Sequence, residues 1–200
     1  MSNLKETILN PILKGNPVTV LILGICSSLA VTVQLKGACV MGLSVMIVTA
    51  LSSFVVSLMR NTIPNRVRII VQLVVVSLMV IVVDQFLKAY SYSIEKQLSV
   101  YVGLIITNCI VMGRIEAFAL GNKPIPSFLD GLFNGFGYAM ILIIVAFFRE
   151  LLGSGTLFGM RVLPEAYIAN NLVILPPFAL ILLGCLIWIQ RACDKDLQEK

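Results

Sequence analysis

There is no histidine anywhere in the 200 residues of this chain. That absence removes Ser-His-Asp and Cys-His catalysis, histidine-ligated haem, and every zinc site that needs an imidazole. Charge is also scarce, at 12% of residues. The five cysteines, Cys26, Cys39, Cys109, Cys185 and Cys193, form no Cys-x-x-Cys pair. Such scatter indicates neither a disulfide framework nor a self-contained zinc site. Lys and Arg outnumber Asp and Glu by 15 to 10, but no basic cluster with interleaved aromatics occurs. Nucleic acid is thus a poor candidate partner. The basic excess reads instead as the cytoplasmic loops of a membrane protein.

What is abundant is apolar surface. Hydrophobic residues make up 58% of the chain, and the mean hydropathy is +0.98. A soluble domain of this length cannot hide that much, so the lipid bilayer is its solvent. A spanning helix needs about 20 mostly apolar residues. On that criterion the chain reads as one all-α integral membrane domain, 1–200, with six spans at roughly 17–35, 38–59, 67–89, 98–114, 131–152 and 171–191. Residues 1–16 read equally as an amphipathic interfacial lead or as a frayed tail, and 192–200 as a cytoplasmic tail.

With six spans both termini share one side. That side collects ten Lys and Arg (Lys5, Lys14, Arg60, Arg66, Arg68, Arg114, Lys123, Arg191, Lys195, Lys200) against five on the other. The positive-inside rule then makes the termini cytoplasmic. A cleaved leader ending at Ser28-Leu29-Ala30 fits less well, because it would be long and would carry Glu6. A lipoprotein box at Cys26 is disfavoured by Ile25, where a small residue is required.

Spans one and four are the shortest and most polar. They hold "GICSS" (Gly24 to Ser28) and "ITNC" (Ile106 to Cys109). Each is followed by a longer apolar span that ends near an arginine, in "SLMRN" at Arg60 and "AFFRE" at Arg149. Three spans per half is an odd number, so equivalent spans cross in opposite directions. The pattern is a 3+3 inverted repeat, about 17–89 and 98–191, in which short or interrupted spans mark the functional midplane.

A lone cysteine in a membrane helix is usually a small hydrophobe, and Cys39, Cys185 and Cys193 read that way. Cys26 and Cys109 differ, since they share a repeat position and both touch polar neighbours: Ser27 and Ser28 beside one, Thr107 and Asn108 beside the other. Polar side chains at mid-membrane are costly unless they face a partner, a cavity or a cofactor. If the two cysteines meet, a disulfide, a metal site and plain packing all remain open. Two thiolates are half of what a [2Fe–2S] cluster normally takes, so that outcome needs a partner chain. Backbone N–H groups of interrupted helices and hydrogen bonds from Ser, Thr and Asn would offset part of the cluster's charge.

"GLIITNCIVMGR" followed by "EAFA" resembles a family of membrane subunits, as do "GICSSLAVT", "RNTIPNRVRIIVQ", "VDQFLKAY", "KQLSVYVGL", "PIPSFLDG" and "FFRELLGSGTLFG". The family comprises the D-type subunits of sodium-pumping NADH:quinone oxidoreductases and the corresponding E-type subunits of Rnf electron-transfer complexes. "IPNRVRIIVQ" and "PIPSFLDG" look more like the sodium-pump member. The resemblance runs from about Pro11 to the last span, with one departure at Ile115, where a small residue is expected.

This resemblance implies a six-span protein of the bacterial inner membrane with an internal inverted repeat. It also implies pairing with a homologous sister subunit (E-type) inside a six-subunit complex, and a [2Fe–2S] cluster ligated by two cysteines from each. Carried onto this sequence, the ligands are Cys26 and Cys109, with Gly24, Ser27, Thr107 and Asn108 around them. The cluster would relay electrons from an NADH-oxidising subunit toward flavins and finally ubiquinone. No flavin is expected on this chain, since "GSGT" at Thr156 lacks the attachment pattern and reads as a helix end. No catalytic residue is expected either.

Asp84, Arg114, Glu116, Arg149 and Glu150 fall near the ends of predicted spans. They are expected to anchor at the interface and pair with neighbours; a part for Asp84 or Glu116 in an ion route or docking surface is the sharper alternative. Without the resemblance, inverted repeats and interrupted spans fit a secondary transporter or ion-conducting subunit without iron equally well.

Overall fold

The computed structural model describes residues 17–64, 66–90, 102–157, 160–161 and 171–193. The interfacial lead, the start of the fourth predicted span and most of the C-terminal tail lie outside the described residues. Helices account for nearly all of the rest, apart from a two-residue antiparallel ladder of β1 (Thr156–Leu157) and β2 (Met160–Arg161).

Among the described residues three helices are long and apolar enough to cross a bilayer: α2 (Leu35–Met59), α3 (Arg68–Tyr90) and α6 (Pro124–Gly153). They correspond to the second, third and fifth predicted spans. The other three predicted spans are discontinuous or short. Span one contains only α1 (Ile25–Val31), preceded by an irregular segment from Pro17. Span four divides into α4 (Val102–Ile106) and α5 (Cys109–Arg114), the latter running on through a π-helical turn, Ile115–Ala119. Span six divides into α7 (Asn171–Ile174) and α8 (Pro176–Cys193).

Each break has a local cause. Gly24 begins α1 in the left-handed region, with φ 81°, where a side chain is disfavoured. Ile22 precedes it at φ 56°, a strained setting for a β-branched residue costing about 1–3 kcal/mol. Asn108 opens α5 from an extended conformation, and its Oδ1 accepts the Ile110 N–H at 3.1 Å. That bond gives the backbone an alternative to continuing α4. Pro176 cannot continue α7, because it lacks the N–H and its ring crowds the preceding turn.

The centre of the molecule is the antiparallel seam of α2 and α6. A Cβ added at Gly42 would lie 2.8 Å from Ala139 Cβ, and one added at Gly135 would lie 2.6 Å from Met46 Cα. Gly131 is similarly tight against the backbone of Thr49 and Ala50. Small residues four apart on α6 (Gly131, Gly135, Ala139) thus let the two backbones approach, as membrane helices must when no hydrophobic force drives them together. By contrast α3 leaves Ile69, Ile70, Val74, Leu78, Ile81 and Phe86 exposed, a face suited to lipid.

The charged residues do more than anchor. Arg149 and Glu150 lie inside the protein, 2% and 4% exposed. Arg149 Nη1 donates to Leu29 O (3.1 Å) and Thr32 Oγ1 (2.6 Å), at the end of α1, and Nη2 donates to Ile174 O, at the end of α7. Glu150 Oε2 accepts the Leu35 N–H at 2.6 Å, at the start of α2. Cation and carboxylate therefore each meet the helix terminus of complementary polarity.

At the opposite end of the seam, Arg114 pairs in a bidentate manner with Asp130 (2.9 and 2.5 Å), whose Oδ1 also accepts from Asn134 at 3.0 Å. Glu116 takes Arg68 and, at 2.8 Å, the buried Gln72. Arg114 and Glu116 are two positions apart and so face different neighbours, α6 and α3. Asp84 pairs with Lys88 one turn on, at 2.9 Å.

Candidate functional site

Cys26 is the second residue of α1 and Cys109 the first of α5. Both are free thiols and both are exposed. The residues beside them are not. Ser27 and Asn108 are 3% exposed, and they meet. Asn108 Nδ2 donates to Ser27 Oγ at 3.2 Å, joining the residue after one cysteine to the residue before the other across 81 positions of sequence. The two short helices therefore start side by side in the interior, with a thiol at each start facing outward.

Gly24 belongs to this site for steric reasons. A Cβ there would lie 2.7 Å from Ile110 Cδ1 and 2.9 Å from a ring carbon of Tyr138. Thr107, just past the end of α4, is exposed, and its hydroxyl donates back to Gly103 O at 3.0 Å rather than to Ser27, Asn108 or Tyr138. Its polarity is absorbed by its own helix. Cys39 packs instead beside Leu35, Ala38 and Ala146, and Cys185 lies exposed on α8.

Sequence reasoning misses Tyr138. This residue is fully buried near the middle of α6, and its hydroxyl lies 2.6 Å from Ser27 Oγ and 3.5 Å from Asn108 Nδ2. A signal exists: a phenol in the midst of an apolar helix usually has a hydrogen-bond partner when buried.

Among the described residues no three His, Cys, Asp or Glu side chains gather as metal ligands. The donors available here are two exposed thiols, Cys26 and Cys109, which in number and chemistry fit half of a four-thiolate centre.

Comparison with known proteins decides the lineage. Residues 4–187 match the family described as "Rnf-Nqr subunit, membrane protein". This chain belongs to the Rnf-Nqr family. Among its Rnf-Nqr relatives is the D-type subunit of the Na(+)-translocating NADH-quinone reductase of Psychromonas ingrahamii, 55% identical over 203 aligned residues, which cover 99% of this chain and 97% of that protein. The D-type subunit of the reductase of the same name from Haemophilus influenzae is 56% identical over 201 aligned residues, covering 98% and 97%. The Rnf-Nqr assignment thus spans both thiol motifs and both long helices of the seam.

Proposed function

We propose that this chain is a membrane subunit of a Na+-translocating NADH:quinone reductase in a bacterial inner membrane, with both termini cytoplasmic. Cys26 and Cys109 provide two of the four ligands of an intramembrane [2Fe–2S] cluster, and a homologous E-type sister subunit in the six-subunit complex provides the others. When bound, the cluster supplies a one-electron relay between the NADH side and the flavins that lead to ubiquinone. This chain holds thiolates, orients them and excludes water; it binds no flavin and carries no catalytic acid or base.

One observation carries the reading. The Asn108–Ser27 hydrogen bond ties the starts of the two short helices that carry Cys26 and Cys109, and each of these thiols is free and exposed. An uncovered thiol pair within a bilayer calls for a partner chain rather than lipid.

The inverted repeat belongs to the same proposal. Each half runs in the order broken span, long helix, third helix. Arg60 at the end of α2 donates to Gly121 O in the link before α6 (3.4 Å), while Arg149 near the end of α6 donates to Leu29 O just before the link to α2 (3.1 Å). The two grips are reciprocal, as two halves related by a two-fold axis in the membrane plane require.

The test is to purify the intact complex carrying Cys26→Ser or Cys109→Ser and measure iron and the EPR signal of the reduced cluster. Loss of that signal and its two irons is expected for either variant. Full iron and an unchanged spectrum in both would overturn the ligand assignment and leave an ion-conducting subunit without iron as the better reading.

A further inference from the structure

The polar network around Tyr138 has a defined direction. Ser27 donates its own proton to Gly24 O at 3.0 Å, so Ser27 Oγ has only lone pairs left for its other neighbours. Tyr138 must then donate to Ser27 at 2.6 Å, and Asn108 Nδ2 donates to Ser27 Oγ and to the Tyr138 oxygen, at 3.2 and 3.5 Å. Asn108 Oδ1 is already committed to the Ile110 N–H. Every polar atom in the ring of Ser27, Tyr138 and Asn108 therefore has one role, and exchanging any two roles leaves a buried group unmatched.

The ends of this network matter most. Gly24 is the residue that caps α1, and Asn108 caps α5. Both caps are tied through Ser27 to one hydroxyl on α6, the helix that forms the central seam. Hydrogen bonds across membrane helices are individually weak contributors to stability. Fold stability is thus a weak reason for three of them to converge on one oxygen pair. Their geometric effect is larger, because they fix the start of α1 relative to the start of α5, and hence Cys26 relative to Cys109.

We infer that Tyr138 is a positioning residue: its hydroxyl, acting through Ser27 and Asn108, sets the separation and orientation of the Cys26 and Cys109 thiols. It acts through the two hydrogen-bonded side chains rather than as a ligand. The inference rests on the thiols being cluster ligands, as proposed above. It adds that the geometry of this chain's half of the site is set from α6 rather than by the two short helices themselves.

The test uses Tyr138→Phe, which keeps the ring in its packed site, and Ser27→Ala, which removes the same hydrogen bond from the other side. Both are read in the purified intact complex by iron content, by the EPR line shape of the reduced cluster and by its midpoint potential. Each variant is expected to keep its iron, to broaden or shift the EPR signal, and to move the reduction equilibrium at least threefold, or about 30 mV at ~59 mV per decade for one electron. The double variant should differ little from Ser27→Ala, since both changes break one network; a packing role for Tyr138 gives additive effects. A wild-type spectrum and potential in both single variants, with iron still lost in Cys109→Ser, overturns the tyrosine inference alone. Iron retained in both cysteine variants overturns the cluster reading instead. Should Tyr138→Phe fail to assemble, Ser27→Ala carries the same test.

Discussion

The two ends of the α2–α6 seam do the same work with different chemistry. At one end Arg149 and Glu150 are buried and bind backbone at the termini of α1, α2 and α7. At the other, charge meets charge: Arg114 with Asp130 and Arg68 with Glu116, while the terminal arginine of α2, Arg60, makes one long exposed bond to Gly121 O. Ser57 assists there by donating to Asn122 O at 2.6 Å. One end rests on the buried side chains of two adjacent residues, Arg149 and Glu150. The other shares the load among several contacts. The first should fail abruptly when broken and the second by degrees.

The largest expected effect tests that contrast directly. Arg149→Ala removes the donors for Leu29 O, Thr32 Oγ1 and Ile174 O together, with no water in reach of a residue 2% exposed. Stripping a buried acceptor of its partner costs about 1–3 kcal/mol, and this change strips three at once, so the thermal midpoint of the purified complex should fall sharply. Arg149→Lys should recover little, because an ammonium lacks the planar fork that serves separated acceptors. A melting curve within error of wild type for Arg149→Ala would abolish the distinction between the ends.

At the charge-paired end the intermediate case is Asp130→Asn. The amide keeps the shape and one acceptor but turns a donor toward Arg114, which Asp130 now meets with both oxygens. Charged hydrogen bonds contribute roughly 1.5–3 kcal/mol, and losing one should destabilise the complex by about that much. Part of the loss is recoverable, since Arg114 also lies 5.8 Å from the Phe118 ring and keeps that contact. A loss as large as that of Arg149→Ala would mean that this end is no more forgiving than the other.

These residues also mark where sequence stops being informative. Continuous apolar runs locate the three long helices closely, because lipid imposes length and polarity on every spanning segment. The interruptions at Gly24 and Asn108 are legible from residue type, as is the pairing of "GICSS" with "ITNC". The predicted start of the fifth span at 131 is late, because Asp130 reads as a boundary; α6 begins at Pro124, and Arg114 neutralises that carboxylate inside the fold. Burial of Arg149 is not legible, since its acceptor at Leu29 lies 120 positions away and local pattern carries no information at that range. Tyr138 is legible only in part: a phenol inside an apolar helix signals a partner, but that partner, Ser27, lies 111 positions away. The polarity of Thr107 misleads in the other direction: a hydroxyl that satisfies itself on its own helix looks, in sequence, like one that awaits a ligand.

The smallest effect is the most informative about the proposed repeat. The proposed repeat matches Arg60 with Arg149, since each lies near the end of a long helix and reaches a backbone carbonyl of the other half. Arg60→Ala nonetheless removes one exposed bond at 3.4 Å, and Ser57 still holds Asn122 O. The expected change is within about 0.5 kcal/mol, the range of ordinary surface substitutions. Measured beside Arg149→Ala in the same complex, that result would say the halves share architecture but divide the energy unequally. A loss of several kcal/mol would place real load on Arg60, and the two ends would then be alike in energy as well as in design.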